Sequence, residues 1–180
     1  YDVDYALSEC MTTTNALCDL FDIEGSAELF RAGFKDPRID VAIPQTPGGY
    51  IVWQDGLADI TTPSLVMTAA KDATLPNAEE GDQIWEAMSG KHIRYDMTLG
   101  GHFTYSNMCT LLGGFEEVQN DGCSDQFIDP EVAYDIINGL SMAFVRFHLW
   151  GDDTYVDRLN GTDPKYTADG VLSLKAGALD

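Results

Sequence analysis

SLVMTAAKDATLPNAEEGDQIWEAMSGKHIRYDMTLGGH, residues 64–102, decides how this chain reads. Ser64–Ala70 is a continuous apolar run that breaks at Lys71-Asp72, the pattern of a strand buried on both faces. Pro76 and Asn77 then open a helix. Asn77 is its expected N-cap, and Glu79 and Glu80 fall in the first turn, where the helix dipole favours acids. Ile84, Trp85 and Met88 supply the apolar face, and Gly90 ends the helix. Ile93, Tyr95, Met97 and Leu99 alternate with polar residues, which predicts a second strand. Strand, helix, strand is the unit of a parallel α/β sheet. In such sheets functional groups collect just past the carboxyl ends of the strands. Asp72 and His102 are placed there, on loops after successive strands.

Outward from this unit, Val41–Ile43 lies between Asp36-Pro37 and Pro47-Gly48-Gly49 and reads as another short buried strand. Gly56–Ile60 reads as one helical turn. Asp129-Pro130 opens a long helix, Glu131–Leu149, with Ile136, Ile137, Leu140, Phe144, Phe147 and His148 on or near its buried face. Three regions follow: a helical and loop segment, 1–35, cap-like in position; a main α/β body, 36–159; and a polar, turn-rich tail, 160–180. The strands at Val41–Ile43 and Ser64–Ala70 belong in the interior of a sheet, paired and covered. An upstream segment is therefore expected to cover the first of them.

Composition sets the outer bounds. The 180 residues suit one domain with a sizeable core, and 44% hydrophobic residues mark a globular chain. No apolar run approaches a membrane span, and no signal peptide is visible. Thirty acidic residues against ten basic give a net charge of −20, which repels phosphate and argues against nucleic acid or an anionic membrane as a partner. The acids are dispersed, as in NDGCSDQ, and read as a solvated surface. Asp152, Asp153, Asp157 and Asp163 match no calcium loop, and neither a metal nor another cofactor is expected.

Cys10 and Cys18 bracket one short loop, Cys109 and Cys123 another. No C-x-x-C pair and no histidine at zinc-ligand spacing accompanies them. Two local disulfides, and hence an oxidising, secreted or periplasmic setting, are the expectation; four free thiols in a reducing compartment are the alternative.

An aspartate that accepts a hydrogen bond from one imidazole nitrogen fixes the tautomer, leaving the other nitrogen to take a proton from a nucleophile. Asp72 and His102 are candidates for that pair. Gly100 and Gly101 permit a tight turn and close approach of a substrate. Singly, each residue has a plain structural reading: a partly buried histidine, a loop-capping aspartate. Tyr50 and Trp53, after the first strand, and Phe103 and Tyr105, beside His102, are candidates to line a substrate pocket. Of the latter two, one is expected to pack inward. His92 and His148 read as structural or surface residues.

Resemblance adds to this reading. LVMTAAKDATLP resembles the strand and acid-bearing loop of α/β-hydrolases. LGGHFTYSNMC resembles the catalytic-histidine loop of their dienelactone-hydrolase-like and platelet-activating-factor-acetylhydrolase-like branch, where G-H-x-x-F/Y followed by a cysteine recurs. DPRIDVAIPQTP and the helix ending FVRFHLWGDD also resemble that branch. The resemblance spans roughly 36–159. It implies the C-terminal portion of an α/β-hydrolase fold, with parallel strands and flanking helices, and a serine-dependent ester hydrolase with Asp72 and His102 as two triad members. The family's G-x-S-x-G elbow has no counterpart here. Gly139-Leu140-Ser141-Met142-Ala143 comes nearest, but lies in the last helix and after both other triad members. The serine and oxyanion donors are thus expected on an upstream half or a companion chain of the same precursor, acting on a small ester. A non-catalytic interaction domain that kept this fold is the alternative.

Overall fold

The computed structural model describes residues 2–12, 16–33, 35–90, 92–167, 171–177 and 179. Helices α1 (Val3–Cys10), α2 (Ala16–Phe21), α3 (Ser26–Ala32) and α4 (Tyr50–Leu57) precede strand β1 (Ser64–Ala69). Helix α5 (Gly81–Ala87) connects β1 to β2 (His92–Met97). A 3-10 turn at His102–Tyr105 and short helices α6 (Met108–Leu112) and α7 (Glu116–Val118) lead to α8 (Pro130–Trp150). Two single-turn helices, α9 (Val156–Leu159) and α10 (Pro164–Thr167), and strand β3 (Leu172–Gly177) follow. The architecture is mixed α/β, with strand order β1-β2-β3.

β1 and β2 are parallel and in register from Ser64↔His92 to Ala69↔Met97, as the strand–helix–strand pattern predicts. β3 pairs antiparallel with β2, Tyr95↔Leu174 and Met97↔Leu172. The stretch 160–180, read from sequence as a polar tail, thus completes the sheet instead of trailing from it. Its Leu172 is buried in the main core, a signal that one short apolar patch among turn residues conveys only weakly.

Side-chain alternation sorts the strands into two faces. Leu65, Met67, Ile93, Tyr95 and Met97 pack under α8, which contributes Ile136, Leu140, Ala143 and Phe144. Val66 faces the other way, against Leu57 of α4, Ile84 of α5 and Met88. Helices therefore cover both faces of β1. α8 starts where Asp129 Oδ1 accepts from the N–H groups of Glu131 and Val132, with Pro130 in the first turn, and stops at Gly151 in a left-handed conformation.

Three local readings change. Val41–Ile43 forms no full strand. The segment makes two parallel bridges, Ala42↔Ser64 and Gln45↔Met67. Pro44 has no N–H to give, and Thr46 turns at φ 39°. Helix α5 begins at Gly81, not after Asn77. Asn77 Nδ2 instead donates to Asp96 Oδ1 at 3.0 Å, because a carboxylate only 7% exposed needs donors. The single turn expected at 56–60 is the end of the longer α4, so Tyr50 and Trp53 are helical.

The polar positions of β2 also depart from the alternation reading. Arg94 and Asp96 are buried, not solvated. Thr68 Oγ1 links them, donating to Asp96 at 3.0 Å and accepting from Arg94 Nε at 2.9 Å, while Arg94 Nη1 reaches Asp82 at 2.5 Å.

Both expected disulfides are present, Cys10–Cys18 and Cys109–Cys123, with Cα separations of 5.4 and 5.2 Å. They fit an oxidising environment. No helix among the described residues is long and apolar enough to cross a membrane. Native protein is expected to offer no alkylatable thiol and, after reduction, four, as read by intact mass. Losing Cys109–Cys123 is expected to cost about 2–4 kcal/mol on the loop-closure account.

Candidate functional site

The loops that leave β1 and β2 run side by side, because the strands are parallel and in register. Ala70 N donates to Met97 O at 3.0 Å and Lys71 N to Gly100 O at 2.9 Å, so the pairing continues past both strand ends. Gly100 lies in a crowded place: a Cβ there would sit 3.1 Å from that of Met97 and 3.2 Å from that of Ala69. This contact brings Asp72 to His102. His102 Nδ1 and Asp72 Oδ2 are 3.0 Å apart. The aspartate side chain is 2% exposed and the imidazole 23%.

Asp72 is fixed from its other oxygen as well. Oδ1 accepts from Leu75 N at 2.6 Å. With its carboxylate so oriented, Asp72 accepts the proton on Nδ1 and leaves Nε2 as the basic nitrogen. Nε2 has no hydrogen-bond partner among the described residues. Phe103 packs edge-on to the imidazole, with centroids 5.2 Å apart and planes at 84°. That contact limits ring rotation on one side.

The pocket candidates separate. Phe103 stays beside His102. Tyr105 turns inward: its hydroxyl donates to Thr68 O at 2.7 Å, and burial pushes its phenol far above the ordinary range. It ties the histidine turn to β1. Tyr50 opens α4, where its N–H donates to Glu80 Oε2 at 2.7 Å and its side chain packs on the Leu57–Ile84 cluster. Trp53 lines a groove of about 980 Å³ together with Ile39, Ala42, Ile43, Pro44 and Met88, and neither Asp72 nor His102 borders it. The groove that Trp53 lines is therefore distinct from the Asp72–His102 pair. Tyr50 and Trp53 both lie on α4.

His92 and His148 take the structural places expected of them. His92 Nδ1 lies against Gly90 O and its ring against Trp85, and His148 packs on Phe144 and Phe147 within α8. Ser141 is interior to α8. Among the described residues no group of three His, Cys, Asp or Glu side chains is placed to hold a metal ion.

One residue of the site is absent from the sequence reading. Asp121, 5% exposed, lies between the two loops. Its Oδ1 accepts from His102 N at 2.8 Å and from Ala73 N at 3.1 Å. Its Oδ2 accepts from Thr74 N and Thr74 Oγ1, each at 2.8 Å. Burial opposes its charge, but the donors from His102, Thr74 and Ala73 prevail and hold the carboxyl below its usual range. The sequence signal was NDGC, a turn ending at Cys123 whose disulfide partner follows the histidine loop; read as charge alone, it looked solvated.

The sign of that shift has a measurable consequence. The unfolded chain takes up the proton first, so the Asp121 contribution is complete above the unfolded value of 3.8 and disappears as pH falls through the lower folded value. Thermal unfolding between about pH 5 and about pH 2.5 is expected to fall more steeply for the wild type than for Asp121→Asn. Parallel curves would remove this assignment.

No protein-family model matches the chain, and no curated protein matches it.

Proposed function

We propose that this chain supplies the histidine and aspartate of a Ser-His-Asp triad in a serine-dependent hydrolase of carboxylic esters, whose serine is carried by polypeptide outside these 180 residues. The observation that carries the reading is the Asp72–His102 hydrogen bond at 3.0 Å, between a buried carboxylate and a partly open imidazole, past the ends of adjacent parallel strands. The resemblance of the two loops to those of α/β-hydrolases supports it. In this reading His102 Nε2 takes the proton of the serine hydroxyl as its oxygen attacks the ester carbonyl. It then returns that proton to the departing alcohol, and a water repeats the cycle to free the acid. Asp72 stays ionised and stabilises the imidazolium throughout.

Backbone pairing supports the missing element. Ala42, Pro44 and Thr46 direct their hydrogen-bonding groups to β1, while Val41, Ile43 and Gln45 have none among the described residues. An unpaired edge beside an apolar groove suits a further strand. We assign that strand to a companion polypeptide of the same precursor, and the whole to a secreted or periplasmic setting. The substrate is a small ester and no cofactor enters.

A fluorophosphonate probe tests this on the precursor or on the chain with its companion. The companion is expected to carry the label and this chain none. Labelling of Ser141 would move the nucleophile onto this chain and end the companion assignment, and no labelled serine together with no ester hydrolysis would replace the hydrolase with a non-catalytic interaction domain.

A further inference from the structure

We propose that Asp121 is a positioning residue for the Asp72–His102 couple, clamping the acid loop to the histidine loop and itself held in place by the Cys109–Cys123 disulfide. The relevance to turnover rests on the hydrolase reading above; the positioning does not.

The acid loop presents three consecutive backbone N–H groups, at Ala73, Thr74 and Leu75. Two go to Asp121 and the third to Asp72 Oδ1. That division matters because Asp72 has only two oxygens. With Asp121 occupying Ala73 N and Thr74 N, Asp72 keeps Oδ2 for the imidazole. Without Asp121, Ala73 N and Thr74 N next to Asp72 lose the carboxylate that accepts from them. Asp72, in the same loop, is then a carboxylate open to them, and turning toward them takes it from His102. Asp121 Oδ1 also fixes the other partner through His102 N. One carboxylate thus sets both ends of the couple.

The position of Asp121 is determined from a different direction. The turn at Gln119–Cys123 lies directly against the histidine turn. A Cβ on Gly101 would be 2.6 Å from Asp121 C and 2.7 Å from Gly122 N. A Cβ on Gly122 would be 2.8 Å from Thr104 N, and Gly122 also holds φ 139°, which only glycine adopts readily. Thr104 Oγ1 accepts from Gly101 N at 2.9 Å within the histidine turn and donates to Gly122 O at 3.5 Å, across to the Asp121 turn. The disulfide then ties Cys123, two residues beyond Asp121, to Cys109 on α6. Glycine contact, threonine and disulfide together leave the Asp121 carboxylate one place to sit.

Imidazole tautomers read the positioning directly. With Asp72 accepting from Nδ1, neutral His102 carries its proton there; a free imidazole prefers Nε2. Long-range ¹H–¹⁵N correlation of ¹⁵N-histidine-labelled full chain, at a pH where His102 is neutral, distinguishes the two. The wild type is expected to show the Nδ1–H form. Asp121→Ala and the double variant Cys109→Ser/Cys123→Ser are expected to shift His102 toward Nε2–H, with His92 and His148 unchanged. Should Asp121→Ala fail to fold, Thr74→Ala removes one hydroxyl from the clamp and is expected to give a smaller shift of the same sign. An unaltered His102 tautomer in any folded Asp121→Ala protein overturns the proposal, as does a wild type in the Nε2–H form.

In the assembled enzyme the same substitution is expected to lower kcat by about 10–100-fold with KM within about twofold, the effect of a misplaced catalytic group. Asp121→Asn, which keeps one acceptor oxygen, is expected to recover part of that loss. A tautomer shift without any esterase activity in the wild type would leave the clamp standing and remove the hydrolase reading alone.

Discussion

His102→Ala is expected to lower turnover of the assembled hydrolase by about 10³-fold or more while KM changes little. Among the described residues the side chain hydrogen-bonds to Asp72 and packs edge-on to Phe103. Its removal therefore costs the general base and little packing, and the thermal midpoint should stay within a few degrees. Asp72→Asn is the informative companion. An amide in place of the carboxylate keeps the shape but presents a donor or a weaker acceptor to Nδ1, so the tautomer is no longer fixed. A loss of similar order is expected for Asp72→Asn, and little further loss for the double variant, because the couple acts as one unit. Steady-state hydrolysis of a simple ester by the precursor decides the matter. Activity of His102→Ala within about tenfold of wild type would end the triad assignment.

Gly101→Ala is expected to destabilise the chain strongly. The new carbon would meet Asp121 C, Gly122 N and Asp121 O at 2.6, 2.7 and 2.8 Å, and all three are backbone atoms that cannot turn aside. Overpacking costs about 1–3 kcal/mol even where side chains give way, so the upper end or more is expected here, measured by denaturant or thermal unfolding. Gly114→Ala is the matched control. Nothing lies within 4 Å of its added carbon, and reduced freedom of the unfolded chain should leave it neutral or slightly more stable. Equal stability of the two variants would show that the two turns are not in contact as described. The loss at Gly101 should also reach activity, because separating the turns moves His102 N from Asp121.

The parts of this molecule that sequence reasoning reached share one property: they are decided locally. The run Ser64–Ala70, the alternation at Ile93–Leu99 and the Asp129-Pro130 start of α8 each carry their own signal. Asp72 and His102 were legible because parallel strands deliver successive loops to one edge. Four residues show where local signals end. Arg94 and Asp96 occupy polar positions of an alternating strand, yet both are buried, because each finds Thr68 as a partner across the sheet. Asn77 has the look of a cap but is drawn off by Asp96. Asp121 looks like one surface acid among thirty, and only the fold brings it beside donors 47 and 48 positions away. Long-range hydrogen bonding decided all four, and no periodicity encodes it. The same holds for β3, whose six residues acquire meaning only beside β2.

That late strand has a kinetic side. β1, α5 and β2 follow one another within a short stretch of chain, so their pairing closes a small loop and forms early. β3 cannot join until the whole of α8 has been made, since Tyr95 must find Leu174. During synthesis β2 is therefore an open edge for as long as the ribosome takes to reach residue 172. Over that interval two nascent copies can pair β2 to β2 in place of β2 to β3. The chain's high negative charge opposes such encounters between copies.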